Sequence, residues 1–104
     1  MPTQVYAGKS VDVDQEGFLL DKKQWSEEIG EAIAQKLGMA LTPQHWKVIT
    51  FVRADTDAQG QSPGPRRITV GAGIQMKELY ALFPKGPGKL VAQIAGVPKP
   101  KSCL

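Results

Sequence analysis

Cys103 is the most reactive side-chain type in this sequence, and it stands next to the last residue. A thiol becomes a nucleophile only as its thiolate. Lys99 and Lys101 lie within four positions of it and favour that charge, while the C-terminal carboxylate of Leu104 opposes it. Free cysteines are usually buried and inert. This one follows Val-Pro-Lys-Pro-Lys-Ser, a run with no core pattern, so exposure is expected. Pro98 and Pro100 stiffen the chain into an extended form. Gly96 stands before them as a hinge. A stiff, charged tip ending in a thiol can reach into another protein's pocket and would need none of its own.

Other chemistry is sparse. The chain has one histidine, His45, beside Trp46, and it reads as structural rather than catalytic. One cysteine and one histidine exclude an intramolecular disulfide and a Cys/His metal cluster, and no cofactor or metal site is expected. No Ser/His/Asp set carries triad logic. Gly71-Ala72-Gly73 is too short for a nucleotide loop. Arg66 and Arg67 follow Ser62-Pro63, a possible helix start, and suit a phosphate or a carboxylate on a partner.

The elements that must position these residues form one domain over residues 1–104. With 104 residues, 41% hydrophobic and 22% charged, the composition is that of an ordinary small globular chain. No run approaches the about 18 apolar residues of a membrane span, and no signal-peptide pattern precedes the domain, so a cytoplasmic protein without membrane attachment is expected. The net charge of +3 is uneven: residues 1–61 carry 6 basic and 9 acidic side chains, residues 62–104 carry 7 basic side chains and one acid, Glu78. Such asymmetry fits an acidic partner or a polyanion.

Val5-Tyr6 and Val11–Val13 flank Ala-Gly-Lys-Ser, a β-hairpin signal, and Gly17 marks a second turn. Ser26 followed by Glu27 and Glu28 predicts a helix start, with Ile29, Ile33 and Leu37 at helical spacing and Gly38 past its end. Thr42-Pro43 predicts the next helix, over about 43–58, with a polar end expected to fray. Residues 62–73 read as loop or short helix. Residues 75–83 and 87–95 read as two further short helices, closed by Pro84 and Gly96. Trp25, Trp46, Tyr80 and Phe83 read as core. The fold class is therefore mainly α: a small helical bundle with an N-terminal β-hairpin and an extended, mobile C-terminal arm over about 97–104.

LFPKGPGKLVAQIAGVPKPKSCL, residues 82–104, resembles the C-terminal signature of the DsrC/TusE family: LFP-x-GP, then IAG-x-PKP and a penultimate cysteine. GFLLDKKQWSEEIGEAIA, residues 17–34, and LTPQHWKVITFVR, residues 41–53, are similar to the family's upstream helices. The resemblance implies a sulfurtransferase that carries persulfide sulfur on Cys103, taking it from a donor protein and yielding it to an acceptor protein. In TusE-like members that route ends in 2-thiouridine of tRNA, so tRNA is met only indirectly. The two-cysteine DsrC pattern has a second cysteine eleven residues earlier, where this chain has Ala92. The pattern here is the one-cysteine, TusE-like one, and oxidation of a monomer should give a Cys103-linked dimer. Residues 54–74 depart from the family by lacking a longer aromatic-containing helix, which keeps open a DsrC-like role in sulfite reductase or sulfur-oxidation metabolism. A DNA-binding regulator with a helix-turn-helix-like surface is a lesser alternative.

Overall fold

The computed structural model describes residues 2–101. Met1 and residues 102–104 lie outside it, and with them Cys103 and the expected mobile tip of the arm. The chain runs β1 (Thr3–Tyr6), β2 (Lys9–Asp12), one turn of 3-10 helix (Lys22–Gln24), α1 (Glu27–Lys36), α2 (Pro43–Gln59), α3 (Pro65–Ala72), α4 (Met76–Leu82) and α5 (Pro87–Ala95).

The hairpin is antiparallel, with Thr3 opposite Asp12 and Tyr6 opposite Lys9. Ala7 and Gly8 both take positive φ, 54° and 77°, the two-residue turn that matches strand twist. Two strands alone are marginal in water. Here Tyr6, Val11, Val13, Phe18 and Leu19 are buried in the core, and β1 packs on α1. Asp14 shapes the turn after β2: its Oδ1 accepts from the Glu16 and Phe18 backbone amides at 2.9 and 3.0 Å.

The helix starts follow the expected caps. Ser26 Oγ accepts from the Ile29 amide, and Pro43 and Pro87 occupy first-turn positions where no amide is missed. At α2 the cap involves His45. Thr42 Oγ1 and the Thr42 amide lie 2.7 and 3.0 Å from Nδ1. Nε2 lies 2.9 Å from the Leu82 carbonyl. A carbonyl only accepts, so Nε2 carries the proton and Nδ1 accepts from Thr42. The ring thus joins the start of α2 to the end of α4, with Phe83 edge-on at 5.0 Å. His45 is structural, as its sequence context suggests.

α5 is the central helix. It packs against α1, α2 and α4, and Val91, Ala92, Ile94 and Ala95 are all buried. Around it gather Ile29 and Ile33, Val48, Ile49 and Val52, Ile68, Leu79 and Phe83.

Two expectations need correction. The polar end of α2 does not fray: the helix continues to Gln59 because tertiary contacts engage its polar residues. Asp55 pairs with Arg67, Asp57 with Lys22, and Thr56 Oγ1 donates to the Val52 carbonyl. Tyr80 is exposed rather than core, since Leu79 and Phe83 already supply the inward face of α4. Trp25 and Trp46 are half-buried and meet edge-on, ring centres 6.5 Å apart. Residues 65–72 are helical despite their glycines. Gly64 caps α3, Gly73 closes it at φ 70°, and Gly71 lies where a Cβ would come within 2.1 Å of the Phe51 ring. That glycine is a close-packing residue that seats α3 on α2.

Candidate functional site

The stretch that leads toward Cys103 begins at the C-terminal end of α5, and its start is tightly held. A helix end leaves backbone carbonyls without partners. Here the last four all have one. The Val97 and Gly96 amides turn back to the Ala92 and Gln93 carbonyls, in the left-handed closure a glycine permits. Trp25 Nε1 donates to the Ile94 carbonyl at 2.8 Å. Arg53 Nη1 donates to the Ala95 carbonyl at 2.7 Å, and its Nη2 reaches the Lys22 carbonyl at 3.3 Å. The Arg53 guanidinium lies over the Trp25 ring, 4.1 Å from its centre, a cation–π stack. Burial lowers the Arg53 pKa, and Asp57 partly restores it.

Gly96 makes this arrangement sterically possible. At φ 70° it already favours glycine, and a Cβ there would sit 2.3 Å from Trp25 Cδ1. At the six-membered end of the indole, a Cβ at Gly30 would lie 2.9 Å from Cζ2. Trp25 packs closely on two glycines, one at each end of its ring system, and braces the root of the arm.

Beyond the root the chain lies against the body. Val97 and Pro100 are buried. Ser62 Oγ donates to the Pro98 carbonyl at 2.5 Å. Lys99 Nζ sits 3.1 and 3.2 Å from the two Glu16 carboxylate oxygens. Lys101 lines a cavity of about 180 Å³ together with Asp55, Ser62 and Arg67. Residues 97–101 therefore lie on the body, along a track between the Asp14–Phe18 turn and the α2–α3 junction.

The sequence-selected residues sort as follows. Lys99 is engaged by Glu16, and Lys101 ends the described track. Arg67 forms a two-pronged pair with Asp55, Nε to Oδ2 and Nη2 to Oδ1, both 2.8 Å. That fork holds the Asp55 carboxyl below the usual carboxylate range and raises the Arg67 pKa. Arg67 is thus committed inside the chain rather than to an outside anion. Arg66 is exposed. Cys103 lies outside the described residues. Sequence reasoning missed Trp25, Arg53, Ser62 and Glu16 as arm-positioning residues, because their partners are remote along the chain. Among the described residues, no three His, Cys, Asp or Glu side chains gather as a metal site, and no helix is long and apolar enough to cross a membrane.

Known proteins share both the sequence and this architecture. A family model described as DsrC like protein matches residues 5–104. The chain belongs to the DsrC-like family. It is 39% identical over 107 residues to Sulfurtransferase TusE of Escherichia coli O6:H1, covering 96% of this chain and 98% of that protein. It is 38% identical over 105 residues to the dissimilatory-type sulfite reductase subunit gamma of Nitratidesulfovibrio vulgaris, with complete coverage of both. The crystal structure of the oxidized gamma-subunit, DsrC, from Archaeoglobus fulgidus superposes with a TM-score of 0.83 at 34% identity, over 99% of this chain and 100% of that one. The Allochromatium vinosum DsrC solution structure gives 0.86 at 33% identity, covering 98% and 97%.

Proposed function

We propose that this DsrC-like chain is a sulfurtransferase of the relay type, which carries sulfane sulfur as a persulfide on Cys103 and passes it from a donor protein to an acceptor protein. The observation that carries the reading is the braced root of the arm. Trp25 and Arg53 fix the last carbonyls of α5, and Ser62 and Glu16 hold the next residues. Two residues beyond Lys101, a span of at most about 7 Å, comes Cys103. A carrier needs this combination: a rigid body that a partner recognises, and a thiol delivered beyond its surface.

The step balances without a cofactor. The Cys103 thiolate attacks the outer sulfur of a donor persulfide. The new S–S bond forms as the donor's breaks, and the donor leaves as its thiolate. The reverse geometry, with an acceptor thiolate attacking the outer sulfur on Cys103, unloads it. No net oxidant is required. A thiol that must stay reduced between transfers suits a reducing cytoplasm.

Ala92 favours the one-cysteine, TusE-like role over the two-cysteine chemistry of DsrC. It is buried in α5, and an intramolecular Cys103 bridge has no partner there. A sulfite-reductase partner role remains the second reading, favoured by the full-length similarity to the gamma subunit. DNA binding draws no support: Arg67 is engaged by Asp55, and the relatives carry sulfur-metabolism names.

Cyanide removes sulfane sulfur as thiocyanate, which tests the reading. Protein loaded from a small persulfide and freed of donor should release about one thiocyanate per chain. The Cys103→Ser variant should release none. Equal release from both would overturn the assignment.

A further inference from the structure

Of the exposed large apolar side chains among the described residues, Val70 (81% exposed), Met76 (39%) and Tyr80 (47%) line one cleft of about 610 Å³ between α3 and α4. Scattered surface apolar residues need no explanation, but three converging on one groove mark an interaction surface. Pro65 and Arg67 complete its wall, and Arg66 stands exposed at its rim. Arg67 is locked by Asp55, so that wall is preformed. Among the described residues, the lining contains no acid. Glu78, the one acid of residues 62–104, receives a hydrogen bond from Gln44 of α2 at 2.7 Å.

The cleft adjoins the track of the arm. It shares Gly64 and Arg67 with the cavity lined by Lys101. The Cα of Cys103 is at most about 7 Å from that of Lys101, so a protein that exchanges sulfur with Cys103 is brought beside the neighbouring start of α3. We infer that the α3–α4 cleft is the docking surface for the relay partner, which inserts an apolar side chain between Val70, Met76 and Tyr80 and sets a flanking carboxylate on Arg66. This rests on the sulfur-relay reading and adds the partner's chemistry to it. It also gives a role to the segment that departs from the family pattern, since the short α3 with its outward Val70 makes one wall.

The test uses the full-length protein, labelled for nuclear magnetic resonance and titrated with three blocked peptides: EDLFE, KKLFK and EDSSE. The inference predicts saturable shifts of Arg66, Val70, Met76 and Tyr80 with EDLFE alone. Val70→Asp should weaken EDLFE about tenfold. Arg66→Glu should weaken it a few-fold and turn the preference toward KKLFK. No shift with EDLFE, or equal shifts with EDSSE, overturns the inference. So do shifts of the same residues on deleting 102–104, which would make the chain's own end the occupant, or on raising protein concentration alone, which would make it a second copy. Loading of the wild-type protein from glutathione persulfide, read by mass, is measured in parallel. Its absence would defeat the sulfur-relay reading, whereas a peptide failure with normal loading would defeat the docking surface alone.

Discussion

Replacing Gly96 by alanine should cost far more than a left-handed glycine position ordinarily does. Residue 96 sits at φ 70°, where an L side chain costs about 1–2 kcal/mol. The added Cβ would also fall 2.3 Å from Trp25 Cδ1 and 2.6 Å from Cγ. Cδ1 and Cγ belong to a rigid ring whose other end is packed on Gly30, so the indole must move as a body. Its movement breaks the Nε1 bond to the Ile94 carbonyl, about 1 kcal/mol, and the stack with Arg53, about 1 kcal/mol. The expected loss is about 3–4 kcal/mol, a large share of the ~5–15 kcal/mol that holds a domain folded. Gly38 supplies the control. It has φ 80°, and a Cβ added there would meet nothing within 4 Å, so Gly38→Ala should lose only about 1–2 kcal/mol. Urea unfolding of both variants measures the difference. In a Trp25→Gly background, which removes the Cβ at 2.9 Å along with the ring, the cost of Gly96→Ala should fall to the Gly38 level. Equal losses at positions 96 and 38 in the otherwise native chain would refute the close packing of Trp25 on Gly96, and with it the braced root.

Other perturbations address the remaining contacts. Asp55 and Asp57 have lowered pKa values in the folded chain, so the stability they confer is present above the unfolded carboxylate range, near pH 4, and is lost as pH falls through their lower folded values. Asp55→Asn should therefore destabilise the protein at pH 7 and flatten its acid unfolding profile below about pH 4; an unchanged profile would count against the Asp55–Arg67 fork. His45→Ala should cost about 2–3 kcal/mol, because it strands the Leu82 carbonyl and removes half of the α2 cap; thermal melts that match wild type would exclude this role. Under mild oxidant the chain should form a reducible dimer through Cys103, faster at high salt as two basic arms are screened, and non-reducing electrophoresis across a salt series reads both effects.

What the sequence reveals and what it conceals divide by range along the chain. Ser26, Thr42-Pro43 and Gly96 mark element ends because capping is decided within a few residues, and the structure has those ends. α3 is ambiguous in sequence because its glycines weaken local propensity, while its actual support, the Phe51 contact and the Asp55 fork, is tertiary. The same applies to the far end of α2. Tyr80 misleads because aromatic character suggests burial, although the helical period gives the inward positions to Leu79 and Phe83. Within the candidate site, Cys103 stands out through the signature around it. Its supports do not: Trp25 meets Ile94 across 69 positions, Arg53 meets Ala95 across 42, and Ser62 meets Pro98 across 36. No local pattern announces contacts of that separation.

The most direct measurement of the central claim is the mass of the C-terminal peptide after exposure of the intact protein to a persulfide donor. The relay account predicts an addition of about 32 Da per sulfur on the peptide containing Cys103, reversed by a thiol reductant, with none elsewhere and none in a folded Cys103→Ser variant. A wild-type peptide that stays at its original mass while the donor is consumed, or sulfur found on the Cys103→Ser chain, would contradict it.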